Sequence, residues 1–242
     1  MAVTPATMTD IDIEPRRGAD SDLALLRLLH LVSPTLPTGA FTYSQGIEWA
    51  VEAGWLRSAA DLENWVSDQL EQSLARLDLP LLVRMADAVD AAADAALANW
   101  IDLLLAGRES SELRAEEGHR GRALADLLRA WALPRADALH VLLARSQAAG
   151  FAFAARRWGV ETRPMALGYA WAWAENLMLA GVKIVPLGQR QGQQALARLS
   201  AQLPTVVETG LRLTDDEIGA SSVALAIASA RHEQQYTRLF RS

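Results

Sequence analysis

The chain has 242 residues, 51% of them apolar and only 6% aromatic, with a formal charge of −6 at neutral pH. That length can bury a sizeable core in one large domain or two small ones, and the acidic balance argues against broad nucleic-acid binding. Cysteine is absent, which excludes disulfides, Cys-ligated zinc, iron–sulfur clusters and thiol catalysis.

Residues 1–20 are polar, carry Pro5 and Pro15 and lack an apolar h-region, so they read as a disordered leader and not as a secretory signal. After them helical spacing recurs and strand-like alternation is nearly absent. Leu25, Leu28, Leu29 and Val32 form the first stripe. The stretch SPTLPTGAFTYSQGIE (33–48) cannot continue that helix, because Pro34, Pro37 and Thr38-Gly39 impose turn geometry. A rigid loop carrying Phe41, Tyr43, Ser44 and Gln45 is either a functional surface or a connector that tucks two aromatics into the core.

Thr42 with Gln45 predicts a capping box for a helix ending at Gly54. Ser58 begins the next helix, with Asp61 in its first turn and a stripe of Leu62, Trp65, Val66, Leu70 and Leu74. Asp78-Leu79-Pro80 predicts a break, with Pro80 at a first helical position. Residues 80–106 read as two helices divided near Asp90–Asp94, and another helix covers 110–131 before Pro134. A single helix is expected over 136–157, closed by Gly159, then one over 165–185 stopped by Pro186. Residues 188–203 look helical up to Pro204. Thr214 and Glu217 make a second capping box, with broken helix toward 231. The expected architecture is one all-α globular domain of about nine to eleven helices over residues 21–231, without an internal repeat. No run of about 18 uncharged apolar residues occurs, so no membrane span is expected and the protein reads as soluble and cytoplasmic.

Several chemistries can be weighed on the residues themselves. There is no G-x-x-x-x-G-K-[ST] and no G-x-G-x-x-G, so the chain does not read as an NTPase. Ser44-Gln45-Gly46 has half of a nucleophile elbow, but Thr42 stands where that motif needs glycine. Glu116/His119 and Asp137/His140 have the spacing that places two metal ligands on one helix face. No further carboxylate pair completes such a site, and Glu116–Arg120 is also an ordinary i,i+4 ion pair. His30 reads as a capping or core histidine. Gly118 and Gly121, inside one helix, suggest that another backbone comes close, from the same chain or from a second subunit.

Residues 169–185 are apolar nearly all round, with Tyr169, Trp173, Leu177, Ala180 and Ile184 on one stripe. Glu175 and Asn176 within them are either a satisfied core network or the polar lining of a passage or partner-facing site. The segment HEQQYTRLFRS (232–242) is rich in Arg and aromatic residues, the usual anchors of protein contacts. It is either a final amphipathic helix docked through Tyr236, Leu239 and Phe240 or a tail that docks on a partner. No catalytic set is recognisable, and the residues support a non-enzymatic helical interaction protein.

Four segments, in order, resemble the UreF family of urease accessory proteins. They are SPTLPTGAFTYSQGIEWAVEAG (33–54), ESSELRAEEGHRGRAL (109–124), YAWAWAENLMLAGVKIVPLGQRQGQ (169–193) and HEQQYTRLFRS (232–242). The resemblance covers nearly everything after residue 22. One departure is GASSVALAIASA (219–230), which lacks a proline common in the family at that stretch. The resemblance implies an all-α, dimeric, non-enzymatic chaperone that joins UreD-like and UreG-like (GTPase) proteins on apo-urease during nickel insertion. It implies that nickel and GTP are handled by those partners, with no metal or cofactor bound directly here. By the same resemblance Tyr236, Arg238, Phe240 and Arg241 contact a UreD-like partner. Tyr43, Ser44 and Glu48 then form a partner-facing surface, and Glu48, Glu175 and Gln189 line a polar passage between protomers.

Overall fold

The computed structural model describes residues 16–242, with side chains from Asp20 onward. Twelve α-helices follow in chain order: α1 (Arg16–Val32), α2 (Ile47–Glu52), α3 (Ala59–Gln69), α4 (Leu79–Asp90), α5 (Asp94–Ala106) and α6 (Ser111–Ala130), then α7 (Ala136–Leu143), α8 (Gln147–Arg157), α9 (Thr162–Ile184), α10 (Gln189–Ser200), α11 (Leu203–Arg212) and α12 (Val223–His232). A π-helical segment, Leu70–Asp78, fuses α3 and α4 into one rod, so eleven separate rods are present among the described residues. The all-α architecture is as expected, and the described residues contain no strand. Residues 16–20 of the expected leader belong to α1, and residues 1–15 lie outside the described residues.

Four helices start on a serine whose hydroxyl accepts a first-turn N–H. The pairs are Ser58 with Asp61 (3.2 Å), Ser110 with Leu113 (3.1 Å), Ser146 with Ala149 (3.2 Å) and Ser222 with Leu225 (3.3 Å). Each such cap stabilises its helix by about 1 kcal/mol. Ser146 splits the single helix expected over 136–157 into α7 and α8. Its hydroxyl also donates to Glu117 (2.8 Å), a contact across 29 residues that no local pattern reveals. The break at Pro80 does not occur. The Leu79 N–H bonds to the Leu74 carbonyl, an i→i+5 closure that carries the helix into Pro80 without interruption. Pro204 lies in the first turn of α11, and α10 already ends at Ser200, short of the expected 203.

The Thr42–Gln45 capping box is also absent. The Thr42 hydroxyl instead donates to the Gly39 carbonyl (2.8 Å) in a 3-10 turn over 40–42, and Gly46 stands at the N-cap of α2. The second box does form, with the Glu217 carboxylate accepting the Thr214 N–H at 2.9 Å, but it caps only a 3-10 turn over 215–217.

The core is a layer of Leu and Ala built around α9, which packs against α1, α2, α3, α4, α10 and α11. On its far side α8 fills the space between α4 and α6. The α3 stripe Leu62, Trp65, Val66, Leu70 and Leu74 is buried as expected. One ionic network lies inside this core. Arg108, just before α6, donates to both oxygens of Asp78 (2.5 and 3.1 Å) and to Glu117 (2.9 Å). Glu117 also accepts from the Ala148 N–H at 3.1 Å. The network thus ties the π segment to α6 and α8.

Burial pushes the Asp78 carboxyl up despite Arg108. Burial acts the same way on Glu117, but Arg108, the Ala148 N–H and the Ser146 hydroxyl overcome it and hold Glu117 below its usual value. For Arg108 burial works downward, and the two carboxylates still hold the guanidinium well above its usual range.

Candidate functional site: the tail clasp

After α12 the chain leaves helical geometry and folds back on the loop at 42–48. The turn that receives it depends on Gly46. Its φ of +79° is left-handed, and a Cβ there would stand 2.9 Å from the Ala228 Cβ. This close approach sets residues 44–48 directly against α12.

The clasp is made largely by backbone groups of the tail. The Ser44 N–H and hydroxyl both donate to the Ser242 carbonyl, at 2.7 and 2.5 Å. The Arg241 N–H donates to the Thr42 carbonyl (2.8 Å). The Glu48 carboxylate accepts the N–H groups of Leu239 (2.6 Å) and Phe240 (2.8 Å). Charge-assisted bonds of this kind are roughly twice as strong as neutral ones.

His232, fully buried at the end of α12, stands between two acids. Its Nδ1 lies 2.6 Å from Glu112 and its Nε2 3.3 Å from Glu48. Arg238 donates to the other Glu112 oxygen (2.7 Å), and the Ser242 hydroxyl reaches Glu116 at 3.3 Å. Phe240 is 5% exposed, with the Lys183 ammonium 5.6 Å from its ring centroid and 5.9 Å from that of Phe41.

Of the residues singled out in the sequence, Ser44, Glu48, Arg238, Phe240 and Arg241 meet in this one place. Tyr43 is buried beside it, its hydroxyl 3.1 Å from His119 Nδ1. Tyr236 and Leu239 point into solvent. Glu175 stands elsewhere, half-buried on α9, and burial pushes its carboxyl up. The neighbouring Asn176 donates to the Ala40 carbonyl at 3.0 Å. Gln189 is the exposed first residue of α10. No hydrogen bond among the described residues joins Glu48, Glu175 and Gln189 to one another.

Glu112 and His232 carry much of the clasp and went unassigned in the sequence. Their signal was only a lone acid and a lone histidine 120 residues apart. Beneath the clasp, Gln45, Glu116, Arg120, Tyr169 and Trp173 line a cavity of about 20 Å³, room for a single water.

The arrangement does not prepare chemistry at Ser44, whose hydroxyl proton is committed to a carbonyl. The paired acid–histidine motifs also diverge. Glu116 holds Arg120 (2.8 Å) and Gln45 (3.1 Å), whereas His140 is bound to Asp126 (2.7 Å). Among the described residues no three His, Asp or Glu side chains are grouped to hold a metal ion, and no helix is long and apolar enough to cross a membrane. His30, read as capping or core, is exposed and leans on Trp131 with ring centroids 5.2 Å apart.

Comparison with known proteins bears on what such a clasp is for. Residues 56–200 match the family model described as UreF. The chain belongs to the UreF family. It is 50% identical over 223 residues to the urease accessory protein UreF of Pseudomonas putida KT2440, covering 92% of this chain and 100% of that one. It is 47% identical over 225 residues to the UreF of Alcanivorax borkumensis SK2, covering 90% and 98%. The UreF of Enterobacter sp. 638 is 43% identical over 217 residues, covering 90% and 97%. The chain is therefore a urease accessory protein of the UreF family along nearly its whole length.

Proposed function

We propose that this chain is a non-enzymatic urease maturation chaperone of the cytoplasm. It acts as a dimeric adaptor that joins UreD-like and UreG-like proteins on apo-urease and supports GTP-dependent nickel insertion there. The observation that carries the reading is the clasp. Two segments 191 and 192 residues apart at these bonds are held as one surface, with Tyr236, Leu239 and Arg241 outward. Aromatic and Arg side chains presented on a rigid support are what a docking surface needs. In this reading Arg238 and Phe240 set the shape of the surface, and Tyr43, Ser44 and Glu48 are the platform beneath it.

The dimeric part is supported by α1, where Leu23, Leu25, Leu26 and Leu29 are 45%, 56%, 61% and 55% exposed along one helix. Nickel and GTP belong to the partners in this reading, as cargo and as the GTPase's substrate. Glu48, Glu175 and Gln189 are proposed to line the polar passage between protomers.

Co-expression with UreD-like and UreG-like proteins, followed by size-exclusion with light scattering, tests the adaptor. A complex with two copies of each, lost on deleting residues 232–242, is the expected result. Unchanged co-purification of the UreD-like protein with Arg238→Ala and Phe240→Ala would refute the tail assignment. Unchanged nickel incorporation in Glu48→Ala and Glu175→Ala would remove the passage.

A further inference from the structure

On the face of α6 turned away from the core, Arg114, Gly118 and Arg122 follow one another at four-residue spacing. With Asp126 they form one wall of an open groove of about 650 Å³, whose other side is His140, Val141, Ala144 and Arg145. Val141 is 81% exposed there.

The two glycines of α6 differ in what they do. A Cβ on Gly121 would stand 2.7 Å from the Ser146 backbone, so the fold itself requires that glycine. A Cβ on Gly118 would meet nothing within 4 Å, and its backbone is ordinary helix. Nothing among the described residues repays the helix stability lost at Gly118. A second backbone lying across α6 at that point would.

The charge of the groove says what kind of segment fits. Among the described residues Arg122 forms no ion pair, and Arg114 donates to the Arg108 carbonyl (2.7 Å) with its charge within reach of Glu233. Arg145 is paired with Asp102, and His140 with Asp126. Two guanidinium groups one turn either side of a bare glycine thus face outward from a chain whose net charge is −6.

We propose that this groove docks an acidic helical segment of a partner protein, with a small residue crossing at Gly118 and carboxylates reaching Arg114 and Arg122. Such a crossing combines close backbone approach with bidentate Arg–carboxylate bonds. The inference rests on the adaptor reading, which makes the proteins of the urease maturation assembly the candidates. It adds a second contact face, separate from the clasp.

The test measures binding of purified UreD-like protein, UreG-like protein and apo-urease, each separately, to wild type, Gly118→Ala, Gly118→Trp and Arg114→Glu/Arg122→Glu. One partner should bind the double charge reversal at least tenfold more weakly, and Gly118→Trp should do the same. Gly118→Ala should raise the Tm of the isolated chain while weakening that same partner several-fold, a pairing that a purely structural glycine does not produce. A photo-crosslinker at position 118 should join an Asp/Glu-rich helical peptide of that partner. Wild type binding its partners while every variant binds equally well overturns the groove and leaves the adaptor intact. Crosslinking to a second copy of this chain, or to RNA, overturns it as well. Wild type that binds none of the three overturns the adaptor reading itself.

Discussion

The tail clasp and the Arg108 network both end on carboxylates of α6, but they are built from opposite materials. In the core, side chains meet side chains: Arg108, its side chain 14% exposed, joins the buried Asp78 and Glu117 in a triad. At the clasp, the side chain of Glu48 receives main-chain N–H groups of residues 239 and 240. The triad has little freedom, because removing one member leaves a buried charge uncompensated. The clasp holds the tail through main-chain N–H groups, which a change of tail side chain leaves in place. The same helix thus carries an ionic rivet at Glu117 and a tail-holding one at Glu112 and Glu116.

The largest expected effect separates the two at once. Arg108→Ala strands Asp78 and Glu117 in the core and should cost about 3–5 kcal/mol in chemical denaturation. Should it cost less than 1 kcal/mol, the triad is not the rivet described. Glu48→Ala comes next, at about 2 kcal/mol, since it removes the acceptor shared by two tail N–H groups and His232. Its decisive readout is local: amide exchange should accelerate over residues 236–242 while α4 and α8 stay protected. Uniform acceleration across the chain would erase the distinction between the regions.

Acid sharpens the comparison further. The Glu117 carboxyl is held below its unfolded value, so its contribution is fully present above that value and is lost as pH falls through the folded one. Asp78 is raised, and its contribution has the opposite sign, being lost as pH rises through its folded value. Glu117→Gln should therefore flatten the acid limb of a stability–pH curve, and Asp78→Asn should steepen it. Parallel limbs in the two variants would contradict the assignments. The smallest effect belongs to Tyr236→Ala, within about 0.5 kcal/mol of wild type because the side chain touches only solvent. The same variant should weaken recovery of the UreD-like partner.

How much could be read from the sequence follows the range of the interactions. Ser58 and Ser110 begin helices where expected, because a cap is decided within four residues. Ser146 does the same job and was missed, since its neighbours alone read as continuous helix and Glu117 is the distant partner that stabilises the break. The sequence reads Gly46 as lying within a helix capped at Thr42, and the structure makes it the left-handed N-cap of α2. That turn was not legible, because the contact that fixes it lies on α12. Ser44, Glu48, Phe240 and Arg241 were named as functional from motif resemblance, but their mutual contact depends on backbone donors, which carry no residue signature. Gly118 and Gly121 were indistinguishable until the space beside each was known.

The π segment between α3 and α4 bears on how this chain tolerates change in length. An α-helix advances about 100° per residue, so losing one residue from Ala59–Gln69, which the π segment joins to α4 without a break, would rotate everything beyond by that angle. Leu82, Met85 and Val89, now buried in the core that α4 shares with α8, would swing away from it together. An insertion or deletion in this rod is therefore a global event, whereas one at residues 91–93 only lengthens or shortens a loop. Length variation among related chains should spare 59–90 and collect at such joints.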